Sequence, residues 1–551
     1  MSHRHSGASA LIRPFLVLFV LTCLLWSPVS ASAGTIVADS GFRPDPNGFS
    51  FQNYGNEEGY AGLDAAEVQR LFGPGVCVVG RGAHCVLTPL ARIWMQAVNE
   101  GMADGHCYGF ATLTELIYKG DLPQFGYADV GALGAGAATP FALDVEGNLR
   151  LQRSIARAFV MQTLQSVNEE AIKGTPTEIL EALRGGALRR SNPESWTLTI
   201  FQPGFKQGHA ITPYAVEDMG GGIFEVHVYD NNWPGDTSRR LTIDTNSDTW
   251  SYYAAINPGI PAAEYAGDAK TRTLSLMPVL PGLGVQPCPI CVGRQGARLR
   301  YNEVRLDGAA SEHAKLLITD GQGRKTGFVG NRLVNQIPGA RVLPRTSGGP
   351  KPLAGGGAEY RDSPLPVFRV PKNVRFRIRI FGTRLRVKDR ETLALVGPTY
   401  DAAVENIVMG PRQVADVHLS ARGDALTYRA SRRTETPAMS LGLEAKNAAY
   451  RVTVAALDAK PASTMTFVKR PKQRLMWIGD KTTEKRTYRL SIDRYTADAE
   501  ETLTRTFEIS GHQQAFLYYG PLRKHDGVAK IVVYTPDRKQ KVRVLPVDQG
   551  E

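Results

Sequence analysis

The chain has 551 residues, 42% hydrophobic and 21% charged, with a formal net charge of +12. Its length suggests three or so domains, and its ordinary composition is that of a globular protein able to bury real cores, which excludes an intrinsically disordered chain. The charge is unevenly spread: residues 34–274 hold 17 Lys+Arg against 27 Asp+Glu, and residues 275–551 hold 46 against 26.

The N-terminus carries Arg4 and Arg13 with no acidic residue, then the apolar run FLVLFVLTCLLW (15–26) and the small-residue stretch SPVSASAG. Charged start, short apolar middle and a small-x-small site at Ala31-Ser32-Ala33 form a secretory signal. The run is shorter than the about 20 residues of a membrane span. Residues 1–33 are therefore expected to be a cleaved signal peptide, and the protein to be secreted, extracellular or associated with the cell surface. A lipoprotein anchor at Cys23 is the rival reading, weakened by Thr22 before it. No later segment reaches 20 uninterrupted apolar residues, so no transmembrane segment is expected in the mature chain.

Residues 34–100 read as mixed, with a helix around 63–72. Helical patterns follow at 107–118 and 148–172. Thr175-Pro176-Thr177-Glu178 is a capping box that starts another helix, ending at Gly185-Gly186. The period then switches to strands at 196–202, 210–217, 223–230, 240–245 and 250–256, with Gly220-Gly221-Gly222 as a hairpin turn. Helices followed by an antiparallel sheet imply an α+β domain over 34–270. Beyond Arg272 short alternating runs dominate, split by Gly, Pro and Asp. They predict all-β, Ig-like β-sandwich modules, a β-rich one over 271–385 and a basic one over 386–551.

Five cysteines remain after the signal. Cys77 with Cys85, and Cys288 with Cys291, are local pairs expected to close as disulfides in an oxidising compartment. A half zinc site or a redox motif at Cys288 and Cys291 is the alternative. Cys107 is left over, and an odd cysteine in a secreted protein needs a reason.

Cys107 lies in GMADGHCYGFATLTELIY (101–118), at the predicted start of a helix, where the dipole favours the attacking thiolate. Gly105 and Gly109 beside it let the backbone turn and a substrate approach. His209 opens a strand after Gly208, and Asp230 closes the antiparallel partner. Counted from the turn at Gly221, the two come out at the same end of the hairpin. Asp230 shares the parity of Phe224, Val226 and Val228 and faces inward, where a carboxylate can orient an imidazole. Each residue also has a plain structural reading, and Asp230-Asn231-Asn232 with Asp236 could be a turn or a weak calcium loop.

This order, Gly-x-Cys-x-Gly at a helix start, then Gly-His-Ala, then a strand ending in Asp-Asn, resembles the papain-like cysteine peptidase superfamily over about residues 90–257, and is most similar to its bacterial branch of bacteriocin-processing peptidases. The resemblance implies Cys107 as nucleophile, His209 as general base and Asp230 as orienting residue, with Asn232 as the alternative orienter. The family's glutamine six residues before the nucleophile is replaced here by Gly101. Gln96, farther upstream with Asn99, is the candidate oxyanion donor beside the backbone N–H of Cys107. Transglutaminase-like enzymes share the residue order but have a shorter Cys-to-His separation.

The expected function is a secreted thiol-dependent hydrolase, a cysteine peptidase or amidase with a peptide or protein substrate. The alternative is a non-enzymatic surface-binding or adhesive protein with an inactive papain-like domain. The basic half suits an anionic cell-envelope polymer, or it merely keeps the protein soluble. No cofactor, metal or nucleic-acid partner is expected.

Overall fold

The computed structural model describes residues 34–549 except 56–59, 103–104, 204–207, 255–262, 289, 292–300, 309–313, 331, 344–350, 353–357, 360–365, 383–384, 386–387, 398–399, 421–422, 431–436, 445–447, 459–463, 481–483, 497–498, 511 and 521–527. The expected signal peptide, residues 1–33, lies outside the described residues. No helix among them is long and apolar enough to cross a membrane.

The first part of the chain builds helices against a nine-stranded antiparallel sheet. The helices that matter here are α1 (Ala65–Phe72), α2 (Pro89–Gly101), α3 (Cys107–Lys119) and α4 (Leu149–Val160). The central strands are β1 (Trp196–Phe201), β2 (Gly208–Gly220), β3 (Ile223–Tyr229), β4 (Arg240–Asp244) and β5 (Thr249–Ala254), each hydrogen-bonded to the next. The turn between β2 and β3 has positive φ at Gly220, Gly221 and Gly222, a conformation open at low cost only to glycine. The 175–178 capping box is present: Thr175 accepts from the Glu178 N–H and Glu178 from the Thr175 N–H. The helix read over 148–172 is broken instead. It tightens into a 3-10 turn at Met161–Thr163, extends at Leu164, and resumes at Gln165–Glu170.

Helix α3 is the centre of this part. Residues 107–116 are all buried, and α3 packs on α4, β1 and β2. A Cβ at Gly109 would lie 2.1 Å from the Ile155 carbonyl oxygen of α4. That glycine makes room for a helix crossing, not for a substrate. Gly105, at φ 146°, supplies the sharp turn before the helix.

Among the described residues from Tyr301 to Gln549, twenty strands form an antiparallel β-sandwich-like body, and a separate two-stranded pair lies within the span. Successive hairpins alternate between two series of paired strands, 389–409 and 438–456 in one, 414–430 and 464–480 in the other. The last strand, Lys541–Gln549, joins both series. One hydrophobic core collects the inward residues of both, among them Ile378, Leu395, Met439, Phe467 and Leu490. Strands pair across the expected division at 385/386: Tyr301–Gly308 with Asp389–Gly397, and Phe376–Phe381 with Val414–Leu419. Alternating runs look alike in sequence, so two modules and one continuous sandwich cannot be told apart from pattern alone.

The two parts are firmly packed. Helix α2 lies on strands carrying the buried small residues Ala394 and Ala403. Glu303, in the sandwich, pairs with Arg305 at 2.7 Å and Arg369 at 3.0 Å, all three buried. Arg369 also donates to the Thr163 carbonyl at 2.9 Å, and the Arg305 guanidinium sits 5.7 Å from the Trp94 ring of α2. Burial alone would push Glu303 up, but the two arginines outweigh it and hold its pKa at about 2. Cys77–Cys85 and Cys288–Cys291 are disulfides, and Cys107 is free and buried.

Candidate functional site

Cys107 is the first residue of α3, with His106 as the N-cap. Its backbone N–H is one of those a helix start leaves without an intrahelical acceptor. His209 is the second residue of β2, opposite Ile200, and Asp230 directly follows β3. The hairpin register brings His209 and Asp230 to the same end.

His209 Nε2 lies 2.9 Å from Asp230 Oδ1. That oxygen also accepts the Asn232 backbone N–H at 2.9 Å, and Oδ2 accepts the Tyr252 hydroxyl at 2.6 Å. Burial would push the Asp230 carboxyl up, but His209 and these donors hold it below the usual range. Nε2 therefore carries the proton toward Asp230. Asn232 Nδ2, 3.4 Å from the same ring nitrogen, is itself a donor. Asn232 thus acts on Asp230 through its backbone, and Asp230 is the carboxylate in direct contact with the ring.

The other ring nitrogen, Nδ1, is buried and has no hydrogen bond of regular geometry. Cys107 is nevertheless near enough to act on this imidazole, raising its pKa. Burial would push the His209 pKa down. Asp230 and then Cys107 outweigh it and raise it to about 10. The imidazolium is the form beside the sulfur at neutral pH.

Several site residues were not visible in sequence. Asn231 Nδ2 donates to the Cys107 carbonyl at 3.2 Å and to the Ala210 carbonyl at 3.1 Å, tying helix to strand. The segment Phe49–Tyr54 crosses the same place. The His106 N–H donates to Asn53 Oδ1, the Asn53 N–H to the Asn231 carbonyl, and Gln52 Nε2 to the Asn232 carbonyl. His106 Nδ1 is 2.8 Å from the Tyr54 carbonyl, so it donates there; burial pushes this ring down to about 4 and it is neutral. The two histidines are thereby set apart: burial lowers His106, while Asp230 and Cys107 raise His209.

Gln96 does not join the group. It is exposed on α2, accepts from Arg451 at 3.3 Å, and lines a cleft with Glu100, Thr392 and Glu405 at the sandwich. Its helix turns that face outward to the second body, which corrects its assignment as oxyanion donor. Asn99 is also committed elsewhere, exchanging two hydrogen bonds with the Leu63 backbone. Asp230 and Asn232 are spent on the His209 network, and Asp236 accepts from Ser238. Among the described residues no cluster of three or more His, Cys, Asp and Glu could hold a metal. Compared with known proteins, the chain matches no family model, no curated protein and no solved structure.

Proposed function

We propose that the chain is a secreted thiol-dependent hydrolase of papain-like type, a cysteine peptidase or amidase working through Cys107, His209 and Asp230. The observation that carries this reading is the linear order of contacts: a free cysteine at a helix start, a histidine interacting with it, and a buried carboxylate on the far ring nitrogen. That order, among residues far apart in sequence, supports reading them as nucleophile, base and orienter.

In this mechanism the Cys107 thiolate adds to an amide carbonyl carbon, and the oxyanion forms against the helix-start N–H of Cys107. The C–N bond breaks as the His209 imidazolium gives its proton to the leaving amine. The neutral imidazole then takes a proton from water, whose oxygen attacks the thioester. The acid leaves and Cys107 is restored. Asp230 holds the ring in one tautomer throughout.

One observation favours the alternative, a surface-binding protein with an inactive domain of this type. Cys107 and Asp230 are 0% exposed and His209 is 2% exposed. Access requires the surrounding segments to part. Turnover of a mixed peptide and amide library by the wild type, compared with Cys107→Ala, separates the readings. Turnover that disappears with the sulfur supports the hydrolase; no turnover by the wild type, or equal turnover by both, supports the binding protein.

A further inference from the structure

Asp230 is a carboxylate with no exposure to water, so both of its oxygens must be satisfied by the protein to remain charged. One oxygen is held by His209 and the Asn232 backbone, as above. The other depends on Tyr252, in β5, across the sheet from the hairpin. Tyr252 is itself buried, and its hydroxyl accepts a hydrogen bond from Arg239 Nε at 3.1 Å. Arg239 is fixed from two further sides: its guanidinium lies 3.9 Å from the Trp233 ring centroid, and Nη2 donates to the Tyr253 carbonyl.

We infer that Tyr252 and Arg239 are positioning residues of the same site, forming an outer relay Arg239–Tyr252–Asp230–His209–Cys107 that keeps Asp230 ionised and so sets the pH range over which His209 stays protonated. The inference rests on the hydrolase reading of the triad. Charges alternate along the chain of contacts: guanidinium, polarised hydroxyl, carboxylate, imidazolium. Because Arg239 donates to the Tyr252 oxygen, the Tyr252 O–H is a better donor to Asp230. Asp230 is 0% and Tyr252 2% exposed, so solvent is poorly placed to replace that donor. Remove it, and burial drives Asp230 toward the neutral acid, which can no longer support the imidazolium.

Among the described residues, Tyr265 is paired with Tyr252 from the next strand. Tyr229 lies beside Asp230 from β3, Cys107 faces the ring from α3, and Trp233 carries no charge. The first lies far from titration at neutral pH, since burial pushes the Tyr229 phenol well up.

The test is the titration of His209 in the full chain, followed by NMR with carbon-labelled histidine and assigned by loss of its signal in His209→Asn. The wild type should titrate near 10. Tyr252→Phe should move the midpoint down by at least about one pH unit, a tenfold change in proton affinity. Arg239→Gln, at a half-exposed position that leaves Tyr252 in place, should move it the same way by less, and Arg239→Lys should restore part of the shift. Unchanged midpoints in folded Tyr252→Phe and Arg239→Gln overturn the relay while leaving the triad intact. A wild-type midpoint at the ordinary histidine value instead overturns the triad reading, and the relay with it.

Discussion

Asn231 donates to the carbonyl of Cys107 across 3.2 Å, binding the start of α3 to the end of the hairpin that carries His209 and Asp230. The same side chain reaches the Ala210 carbonyl, next to His209. Replacing Asn231 by Leu leaves two buried carbonyls without that donor, at a cost of about 1–3 kcal/mol each at most. Asn231→Leu should lower the midpoint of chemical denaturation and slow the reaction of Cys107 with electrophiles. Unchanged thiol reactivity in the folded variant would show that Asn231 does not align the pair.

Gly109 has an unusually sharp prediction. An exposed helical glycine gains about 1 kcal/mol on replacement by alanine. Here the new methyl would meet the Ile155 carbonyl at 2.1 Å. Backbone cannot give way as a flexible side chain can, so Gly109→Ala should destabilise by about 1–3 kcal/mol. Thermal unfolding decides the sign: a higher Tm would mean that α3 and α4 do not cross as closely as described.

Glu303 holds Arg369 and Arg305, which reach the first part of the chain, and it has a pH signature. Its folded pKa, about 2, lies below the ordinary value of 4.5. The stability it contributes is therefore present above about 4.5 and is lost as pH falls toward 2. Glu303→Gln leaves Arg305 and Arg369 buried without their carboxylate and should cost about 3–5 kcal/mol near neutrality. The mutant should also show a shallower loss of stability between pH 4.5 and 2 than the wild type. Parallel curves for the two proteins would assign the acid sensitivity to other carboxylates.

The basic excess after residue 274 predicts binding to anionic polymer that weakens with salt, since the Debye length is only about 8 Å at physiological ionic strength. Cutting the chain near residue 271 is a poor test. The Arg369 bond to Thr163 and the packing of α2 would be severed, exposing buried faces. The intact protein should instead bind an acidic polysaccharide at low ionic strength and release it as salt rises. Retention that ignores salt would show that the charge excess plays no docking part.

Much of the site could be read in the sequence because it follows from local pattern. The three-glycine turn fixes the β2–β3 register, and counting from it puts His209 beside Asp230. The start of α3 follows from Gly105 and the apolar spacing after Cys107. The rest depends on contacts between distant segments. Asn53 meets His106 and Asn231, and Tyr252 meets Asp230, only after the sheet and helices assemble. Gln96 is near Cys107 in sequence but not in space, because α2 faces its side chain to the sandwich. Asn231 has the outward parity of a strand, yet just past the end of β3 the backbone no longer alternates, and its amide turns back to the helix.

The central claim is that Cys107 is a nucleophile activated by His209, and its most direct measurement is covalent labelling of the whole protein by a peptidyl chloromethyl ketone, with the adduct located by mass spectrometry. The account predicts one adduct, on Cys107, formed at least about 100-fold more slowly in His209→Ala, in line with the usual contribution of a positioned base. A wild-type Cys107 that stays unlabelled in the folded protein, or one that reacts equally fast without His209, would contradict it.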